Sequence, residues 1–151
     1  ELFRLRRLVE EVADSQGLPR EGEIAFDVAM EEGLRIDADR EHLFRVMSNL
    51  MRNAVQALET SETPNGRITV SAHREGRKVI VDVSDNGPGI PPKAREHLFK
   101  AFQASTKKGG TGLGLVIAQE LIQAHGGSLT LVESGRGALF RIEMPDRSVH
   151  S

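Results

Sequence analysis

The sequence contains no cysteine, no tryptophan and no tyrosine, and 6 phenylalanines supply its few aromatic rings. Without cysteine, neither a disulfide framework nor a thiolate metal site can form, and no oxidising compartment is implied. We therefore expect a cytoplasmic setting and an aliphatic core. The scarcity of aromatic rings argues against the base-stacking surfaces that bind single-stranded nucleic acid.

The sequence also lacks a charge excess of either sign and any long apolar run. Its 20 Lys and Arg against 22 Asp and Glu give a formal net charge of -2, so no basic surface for nucleic acid or an anionic membrane is predicted. No apolar run approaches the roughly 20 residues that cross a bilayer, and the charged first residues are not typical of a signal peptide. The length of 151 residues indicates one domain.

Apolar periodicity and turn residues predict an α+β fold. Helices are predicted over about residues 2–15, from Asp37 or Asp39 to Leu58, and over 113–124. Strands are predicted at 23–28, 34–36, 67–74, 78–83, 128–132 and 138–144. Because the last four strands are joined in pairs by turns, we expect antiparallel pairing. The predicted architecture is a two-layer α/β sandwich, a mostly antiparallel sheet covered on one face by helices.

The second predicted helix carries an apolar face and a polar stripe. The apolar face, expected in the core, consists of Leu43, Val46, Met47, Leu50, Ala54 and Leu58. The polar stripe is rotated by roughly 100° and consists of His42, Asn49, Asn53 and Gln56. These residues could be the ordinary polar flank of a surface helix. Their carboxamide oxygens would also suit Mg²⁺, which prefers oxygen ligands.

Two Gly-rich segments are candidates for ligand contact. Asp85-Asn86-Gly87-Pro88-Gly89-Ile90 follows a β-branched strand, where it could build a simple turn. Its glycines would equally allow a flat ligand to approach the backbone, with Asp85 accepting a hydrogen bond from an amino group such as that of adenine. Residues 109–115 open a helix with glycines, which favours phosphate binding at the helix start. The segment has neither the P-loop Lys-Ser/Thr nor the preceding strand of a Rossmann motif.

Four segments in order resemble the N, G1, F and G2 boxes of sensor histidine kinases, which belong to the GHKL superfamily with the Bergerat ATP-binding fold. They are Asn49–Ala54, Asp85–Gly89, Leu98–Phe102 and Gly110–Leu115. The resemblance extends over nearly the whole chain. The variant at residues 52–57 is similar to the nitrogen-regulation branch of the family.

The resemblance implies that the chain binds ATP and Mg²⁺. Asn53 is then the Mg²⁺ ligand, Asn49 contacts phosphate, and Asp85 binds the adenine amino group in a pocket shaped by Gly87 and Gly89. The full set of ATP-binding residues that it implies is Asn49, Asn53, Gln56, Asp85, Gly87, Gly89, Ile90, Phe102, Lys107, Lys108, Gly110, Thr111, Gly112, Leu113 and Gly114.

The resemblance further implies a mobile lid over about residues 91–110, anchored by Phe99 and Phe102. Many family members carry Lys or Arg where this chain has Gln56. Lys107 or Lys108 could supply that positive charge, although basic residues at such positions are commonly solvated.

In this family the phosphorylated histidine lies on a separate helical hairpin and precedes an acidic residue. No histidine of this chain has that context: His42, His73, His97, His125 and His150 precede Leu, Arg, Leu, Gly and Ser. His125, before two glycines, is instead predicted to cap a helix end.

We therefore expect residues 1–16 to be a helical linker from a missing dimerisation hairpin, 17–147 the ATP-binding catalytic domain and 148–151 a tail. The implied partners are the dimerisation and histidine-phosphotransfer domain of the parent kinase and, indirectly, a response regulator, with no nucleic acid and no membrane contact. The expected setting is cytoplasmic even where the parent is membrane-anchored.

Two other functions would use the same fold. ATP-hydrolysing GHKL members such as DNA gyrase place a Glu one turn before the magnesium Asn as general base, whereas this chain has Asn49 there, which cannot take a proton. A degenerate adaptor would have lost the nucleotide-binding residues, whereas Asn53, Asp85 and the glycines are present.

Overall fold

This computed structural model describes residues 1–99, 114–133 and 135–146, which form both helices and strands. In chain order they are β1 (Leu2–Arg4), α1 (Leu5–Ser15), β2 (Ile24–Ala29), β3 (Arg35–Asp37), α2 (Arg40–Ser61), β4 (Gly66–Glu75), β5 (Lys78–Asp85), α3 (Pro92–Arg95), α4 (Gly114–Ala124), β6 (Ser128–Val132) and β7 (Leu139–Pro145). Among these helices, none combines the length and the apolar character that crossing a membrane requires.

One layer is a five-stranded sheet in the order β2-β4-β5-β7-β6. β2 runs parallel to β4, and the remaining three pairs are antiparallel. Alternate residues of β4 and β5 are buried, including Ile68, Val70, Val81 and Val83, because successive side chains of a strand point to opposite faces. Helices α2 and α4 pack against this apolar face and α1 packs against α2, so the predicted two-layer α+β sandwich is confirmed.

Helix α2 forms the centre of the helical layer. The carboxylate of Asp39 accepts a hydrogen bond from the backbone N–H of His42 at 3.1 Å, so Asp39, and not Asp37, is the N-cap. The helix ends at Glu62, whose backbone is left-handed. All six residues of the predicted apolar face are at most 5% exposed: Leu43, Val46, Met47, Leu50, Ala54 and Leu58.

The first predicted helix begins later than expected. Residues Leu2–Arg4 form a strand that pairs antiparallel with β3, with Phe3 opposite Ile36, and helix α1 starts only at Leu5. Leu2 lies three residues before Leu5 and so fits the helical period, yet it is half exposed. Backbone pairing with β3 decides the conformation of these residues. No local sequence pattern indicates that pairing.

Strands β2 and β3 are neighbours in the chain but belong to different sheets. β2 joins the main sheet beside β4, and β3 forms a separate two-stranded sheet with β1. The short helix α3, with a proline in its first turn, was absent from the prediction because four residues show no period.

His125 connects the end of α4 to the start of α2. Its Nδ1 donates to the carbonyl oxygen of Leu121 at 2.8 Å, and its Nε2 accepts from the backbone N–H of Asp39 at 3.2 Å. The ring also lies edge-on to His42, with 5.8 Å between centroids. The predicted helix-capping role of His125 is therefore confirmed.

Candidate functional site

Asn49 brings the polar stripe of α2 to the start of α4. Its side-chain Nδ2 donates a hydrogen bond to the carbonyl oxygen of Gly114 at 3.0 Å. Atoms of the Asn49 side chain lie 3.7 to 3.9 Å from where a Cβ on Gly114 would stand, so the two residues are in direct contact. The structure thus joins one residue of the predicted N box to one of the predicted G2 box.

The other carboxamides of the stripe, Asn53 and Gln56, are half-buried and follow Asn49 along the same helix. His42 does not share their position, because its ring lies beside Asp39 and His125. Three of the four stripe residues therefore remain candidates for ligand contact.

Mg²⁺ fits the oxygen chemistry of this stripe. Nδ2 of Asn49 is already a donor to Gly114, which leaves the carboxamide oxygens of Asn49 and Asn53 as neutral acceptors. Within the described ranges, no group of three or more His, Cys, Asp or Glu could hold a metal ion. A cation here would take most of its ligands from water and substrate phosphate, which is how Mg²⁺ is usually bound.

The predicted adenine-binding loop, residues 85–90, begins with a tight turn. The Asp85 carboxylate Oδ1 accepts a hydrogen bond from the backbone N–H of Gly87 at 2.8 Å. A Cβ on Gly87 would lie 3.0 Å from that oxygen and 3.5 Å from Leu58 of α2. Asp85 therefore forms a turn. This turn brings the backbone of the loop close to α2.

Asn86 fastens the same loop to the start of β4. Its Oδ1 accepts from the backbone N–H of Arg67 at 2.7 Å, and its Nδ2 donates to the carbonyl oxygen of Asn65 at 2.9 Å. Its backbone N–H also donates to the carbonyl oxygen of Arg67 at 3.2 Å. Sequence reasoning assigned Asn86 no role of its own. Its place beside Asp85 and the preference of Asn for bonding nearby backbone were the available signals.

Arg95 holds the far end of the loop. Its Nε donates to the carbonyl oxygen of Ile90 at 3.0 Å, and its guanidinium pairs with Glu133 near the turn between β6 and β7. A few residues further on, the ring of Phe99 lies edge-on to Phe140 of β7, with 6.5 Å between centroids. Phe99 thus contacts the body of the fold, as a residue anchoring the segment after the loop would.

The turn between β6 and β7 lies directly behind Asp85. The Asp85 backbone N–H donates to the carbonyl oxygen of Ala138 at 3.0 Å. Gly137 is so close that a Cβ there would stand 1.9 Å from the Asp85 carbonyl oxygen. The sequence predicts a turn between these two strands, where Gly135 and Gly137 lie, but nothing in it connects this turn with the site.

A cavity of 410 Å³ lies beside this arrangement, under Leu98 and Phe99 and against β6. Of the predicted site residues that the structure describes, only Ile90 lines it. A second cavity, of 470 Å³, lies near Lys78, Gly127 and Pro145 and touches none of those described site residues. A choice of site by cavity size alone would therefore not have identified the carboxamides of α2 or Asp85.

Several predicted site residues lie outside the described residues, and nothing in the structure tests them: Phe102, Lys107, Lys108, Gly110, Thr111, Gly112 and Leu113. The described ones fall into two groups that meet α2 at different points. Asn49 contacts Gly114 near the middle of the helix, and Gly87 comes close to Leu58 near its end.

Comparison with known proteins gives consistent results. Residues 38–148 match the family described as "Histidine kinase-, DNA gyrase B-, and HSP90-like ATPase". The nitrogen regulation protein NtrY of Azorhizobium caulinodans is 34% identical over 127 residues, which are 81% of this chain and 16% of NtrY. The chain spans 15% to 26% of the length of eight such curated relatives.

Solved structures show the same relationship. The catalytic domain of histidine kinase ThkA, in a nucleotide-free form, has a TM-score of 0.85 at 34% identity, covering 97% of this chain and 95% of that structure. ThkA in complex with the response regulator protein TrrA has a TM-score of 0.77 at 32% identity, covering 97% of this chain and 41% of that one.

Full-length ShkA in complex with AMPPNP has a TM-score of 0.80 at 30% identity, covering 100% of this chain and 32% of that one. The family match covers most of the chain, and the fold and motif order agree with it. The chain therefore belongs to the histidine kinase-, DNA gyrase B- and HSP90-like ATPases, as a catalytic domain of the sensor histidine kinase type.

Proposed function

We propose that this chain binds ATP with Mg²⁺ and donates the γ-phosphoryl group to a histidine on a separate dimerisation domain. The observation that carries the proposal is the pair of contacts on α2. The start of α4 touches it at Asn49, and the loop after β5 approaches it at Leu58, which lies 3.5 Å from where a Cβ on Gly87 would stand. These points are about 13 Å apart along the helix at 1.5 Å per residue, and Asn53 lies between them.

At the Leu58 end, the loop would bind the base. The carboxylate of Asp85 would accept a hydrogen bond from the adenine amino group, and such a bond to an ionised acceptor is stronger than a neutral one. The hydrogen bonds from Gly87 to Asp85 and from Arg67 to Asn86 hold the loop before any ligand arrives. A preformed loop loses little conformational freedom on binding.

At the Asn49 end, the start of α4 would bind phosphate. Unpaired backbone N–H groups at a helix start, together with the helix dipole, favour anions. Asn53 would hold Mg²⁺ through its carboxamide oxygen, and the bound ion neutralises charge on the transferring phosphoryl group. The hydrogen bond from Asn49 to Gly114 keeps the two helices together at this point.

The accepting histidine would come from another domain. Among the described histidines, His125 is committed to two backbone partners and His42 lies beside it. His73 pairs with Glu75 at the exposed end of β4, and the Nδ1 atom of His97 is buried. We propose that the catalytic domain spans residues 17–147, that residues 148–151 are a tail, and that residues 1–16, a short strand followed by α1, are the linker. The structures of ShkA with AMPPNP and of ThkA with TrrA support a nucleotide and, indirectly, a response regulator as ligand and partner.

The ATPase and adaptor alternatives receive less support from the structure. Water attack on ATP needs a general base, and the position one turn before Asn53 holds Asn49, whose amide nitrogen is a donor to Gly114. An adaptor that no longer binds nucleotide would have no need of the close approach of Gly87 to Asp85 and α2.

The test is a phosphotransfer assay with ATP labelled at the γ-phosphate. The chain alone should not become labelled, because in-line transfer requires a positioned nucleophile. With the dimeric helical hairpin of its parent kinase, acid-labile phosphohistidine should form on the hairpin. Rapid phosphate release without the hairpin, or strong self-labelling, would contradict the proposal.

A further inference from the structure

We propose that Gly137 is a positioning residue for the adenine-binding carboxylate of Asp85. Because Gly137 has no side chain, its backbone packs directly against the Asp85 peptide. The inference builds on the proposed nucleotide binding and assigns a role to a turn that neither the motifs nor the site residues include. Gly137 lies between β6 and β7, far from Asp85 in the chain.

Gly137 has no room for a side chain. A Cβ built there would stand 1.9 Å from the Asp85 carbonyl oxygen, 2.9 Å from its carbonyl carbon and 3.2 Å from the Cα of Asn86. All three are backbone atoms, so no side-chain rotation can relieve the collision. Any residue other than glycine must force the turn and the Asp85-Asn86 peptide apart, which changes the position of the Asp85 carboxylate relative to the turn.

The same turn touches the loop at two further points. The backbone N–H of Asp85 donates to the carbonyl oxygen of Ala138 at 3.0 Å. The carbonyl oxygen of Gly137 lies 3.1 Å from where a Cβ on Gly89 would stand. The turn therefore supports the loop at both Asp85 and Gly89, the two ends of the predicted adenine-binding motif.

Gly135 provides a matched control within the same turn. Its φ is +78°, against +77° for Gly137, but nothing lies within 4 Å of a Cβ built on Gly135. Alanine at either position suffers the same left-handed backbone strain. Only Gly137→Ala adds the collision with Asp85, so the difference between the two variants isolates the positioning effect.

The displacement should be felt by the adenine amino group more than by the phosphates. The collision moves the residue proposed to accept a hydrogen bond from that group, whereas Asn49 and Gly114 meet on α2 and α4, away from the turn. A nucleotide that lacks the amino group has no such bond to lose. Purine riboside triphosphate, with hydrogen in place of the amino group, is the matching probe.

The experiment is calorimetric titration of the wild-type chain, Gly135→Ala, Gly137→Ala and Asp85→Ala with the magnesium complexes of ATP and purine riboside triphosphate. Gly137→Ala should bind ATP about tenfold more weakly than Gly135→Ala, a change in binding free energy of about 1.4 kcal/mol. Both variants should bind purine riboside triphosphate alike.

In the Asp85→Ala background, Gly137→Ala should have no additional effect, because the effects of interacting residues are not additive. Equal ATP affinity of the two glycine variants, or equal losses for both nucleotides, would overturn the proposal.

A second measurement does not depend on nucleotide. In amide NMR spectra of the apo chain, Gly137→Ala should shift the backbone resonance of Asp85 and leave the side-chain amide of Asn49 in place. Gly137→Ala is usable only if it folds, which cooperative unfolding shows. If it does not, Gly89→Ala replaces it, because a Cβ on residue 89 would stand only 3.1 Å from the Gly137 carbonyl oxygen. An unmoved Asp85 resonance refutes the positioning role. Failure of the wild-type chain to bind ATP, with the Asp85 resonance still shifted, refutes only the proposed function.

Discussion

The side chain of Asn49 and the backbone of Gly114 are joined by a hydrogen bond of 3.0 Å, which ties the middle of α2 to the first residue of α4. The two helices otherwise meet through apolar side chains such as Leu50, Leu115 and Ala118. This polar contact therefore fixes the register of the α4 start against the carboxamides of α2.

Replacing Asn49 should disturb both the α4 start and nucleotide binding. Asn49→Ala should reduce the free energy of unfolding by about 1 kcal/mol, the net value of a typical hydrogen bond. Asn49→Asp should be worse, because a carboxylate would then face the carbonyl oxygen of Gly114 and the phosphates. Urea denaturation and ATP titration measure the two effects. An Asn49→Asp variant as stable and as tightly binding as the wild type would contradict this contact.

Asn53→Ala should act mainly through the metal. With Mg²⁺ present, loss of the carboxamide ligand should weaken ATP binding by about tenfold, within the range measured when a group around a bound metal is altered. With EDTA present, the affinity should stay close to that of the wild type. Arg52→Ala, which alters the exposed neighbour on α2, is the control and should change neither value. Equal losses for Asn53→Ala with and without metal would remove Asn53 as the ligand.

Asn86→Ala should lower stability by about 1–2 kcal/mol, because it removes two hydrogen bonds at once, one from Arg67 and one to Asn65. It should also weaken ATP binding, since the loop that carries Asp85 loses its attachment to β4. Asn65→Gly is the matched control. The contact uses only the backbone carbonyl oxygen of Asn65. The φ of 54° at Asn65 is one that glycine readily adopts. Comparable stability losses for the two variants would contradict the anchoring role.

The parts of the fold that sequence predicted correctly depend on local patterns. The six apolar residues of α2 repeat with the helical period, and all six are buried. Asp39 precedes a helix with free N–H groups and caps it. The turn at Gly76, where φ is 63°, places β4 and β5 in the predicted hairpin. In each case the residues that decide the structure are neighbours in the chain.

The parts that sequence missed depend on contacts between distant residues. Leu2 fits a helical period and lies in a strand because β3 is available to pair with it. β2 pairs in parallel with β4 across the whole of α2, and no pattern within β2 indicates this. Gly137 shows the same limitation at the site. Its turn was evident from sequence, but its collision with Asp85 appears only once the sheet brings the two together.

Arg95→Ala should loosen the end of the loop, whereas Glu133→Ala should not. Arg95 donates to the Ile90 carbonyl oxygen at 3.0 Å, and its ion pair with Glu133 is exposed, with the Glu133 side chain 80% accessible. Exposed pairs contribute about 0–1 kcal/mol, so the Ile90 hydrogen bond is the contact that matters. Hydrogen exchange of the Gly89 and Ile90 amides should accelerate in Arg95→Ala only. Equal acceleration in Glu133→Ala would assign the effect to the ion pair instead.

The cap of α2 should make stability depend on pH in acid. The hydrogen bond from the His42 backbone N–H is the largest influence and lowers the pKa of Asp39 below its usual value of 3.8. Burial opposes it as the second-largest influence, and the nearby His42 and His125 side chains lower the pKa by smaller amounts. A lowered pKa in the folded state means that the ionised carboxylate stabilises the native chain above about pH 3.8. This contribution is lost as the pH falls through the lower folded value.

Asp39→Asn keeps an oxygen that can cap the helix but has no charge to lose. The melting temperature of the wild type should therefore exceed that of Asp39→Asn at pH 6, and the gap should close as the pH falls toward 3 and below. A gap that stays constant over this range would show that the charge of Asp39 contributes nothing to the stability of the fold.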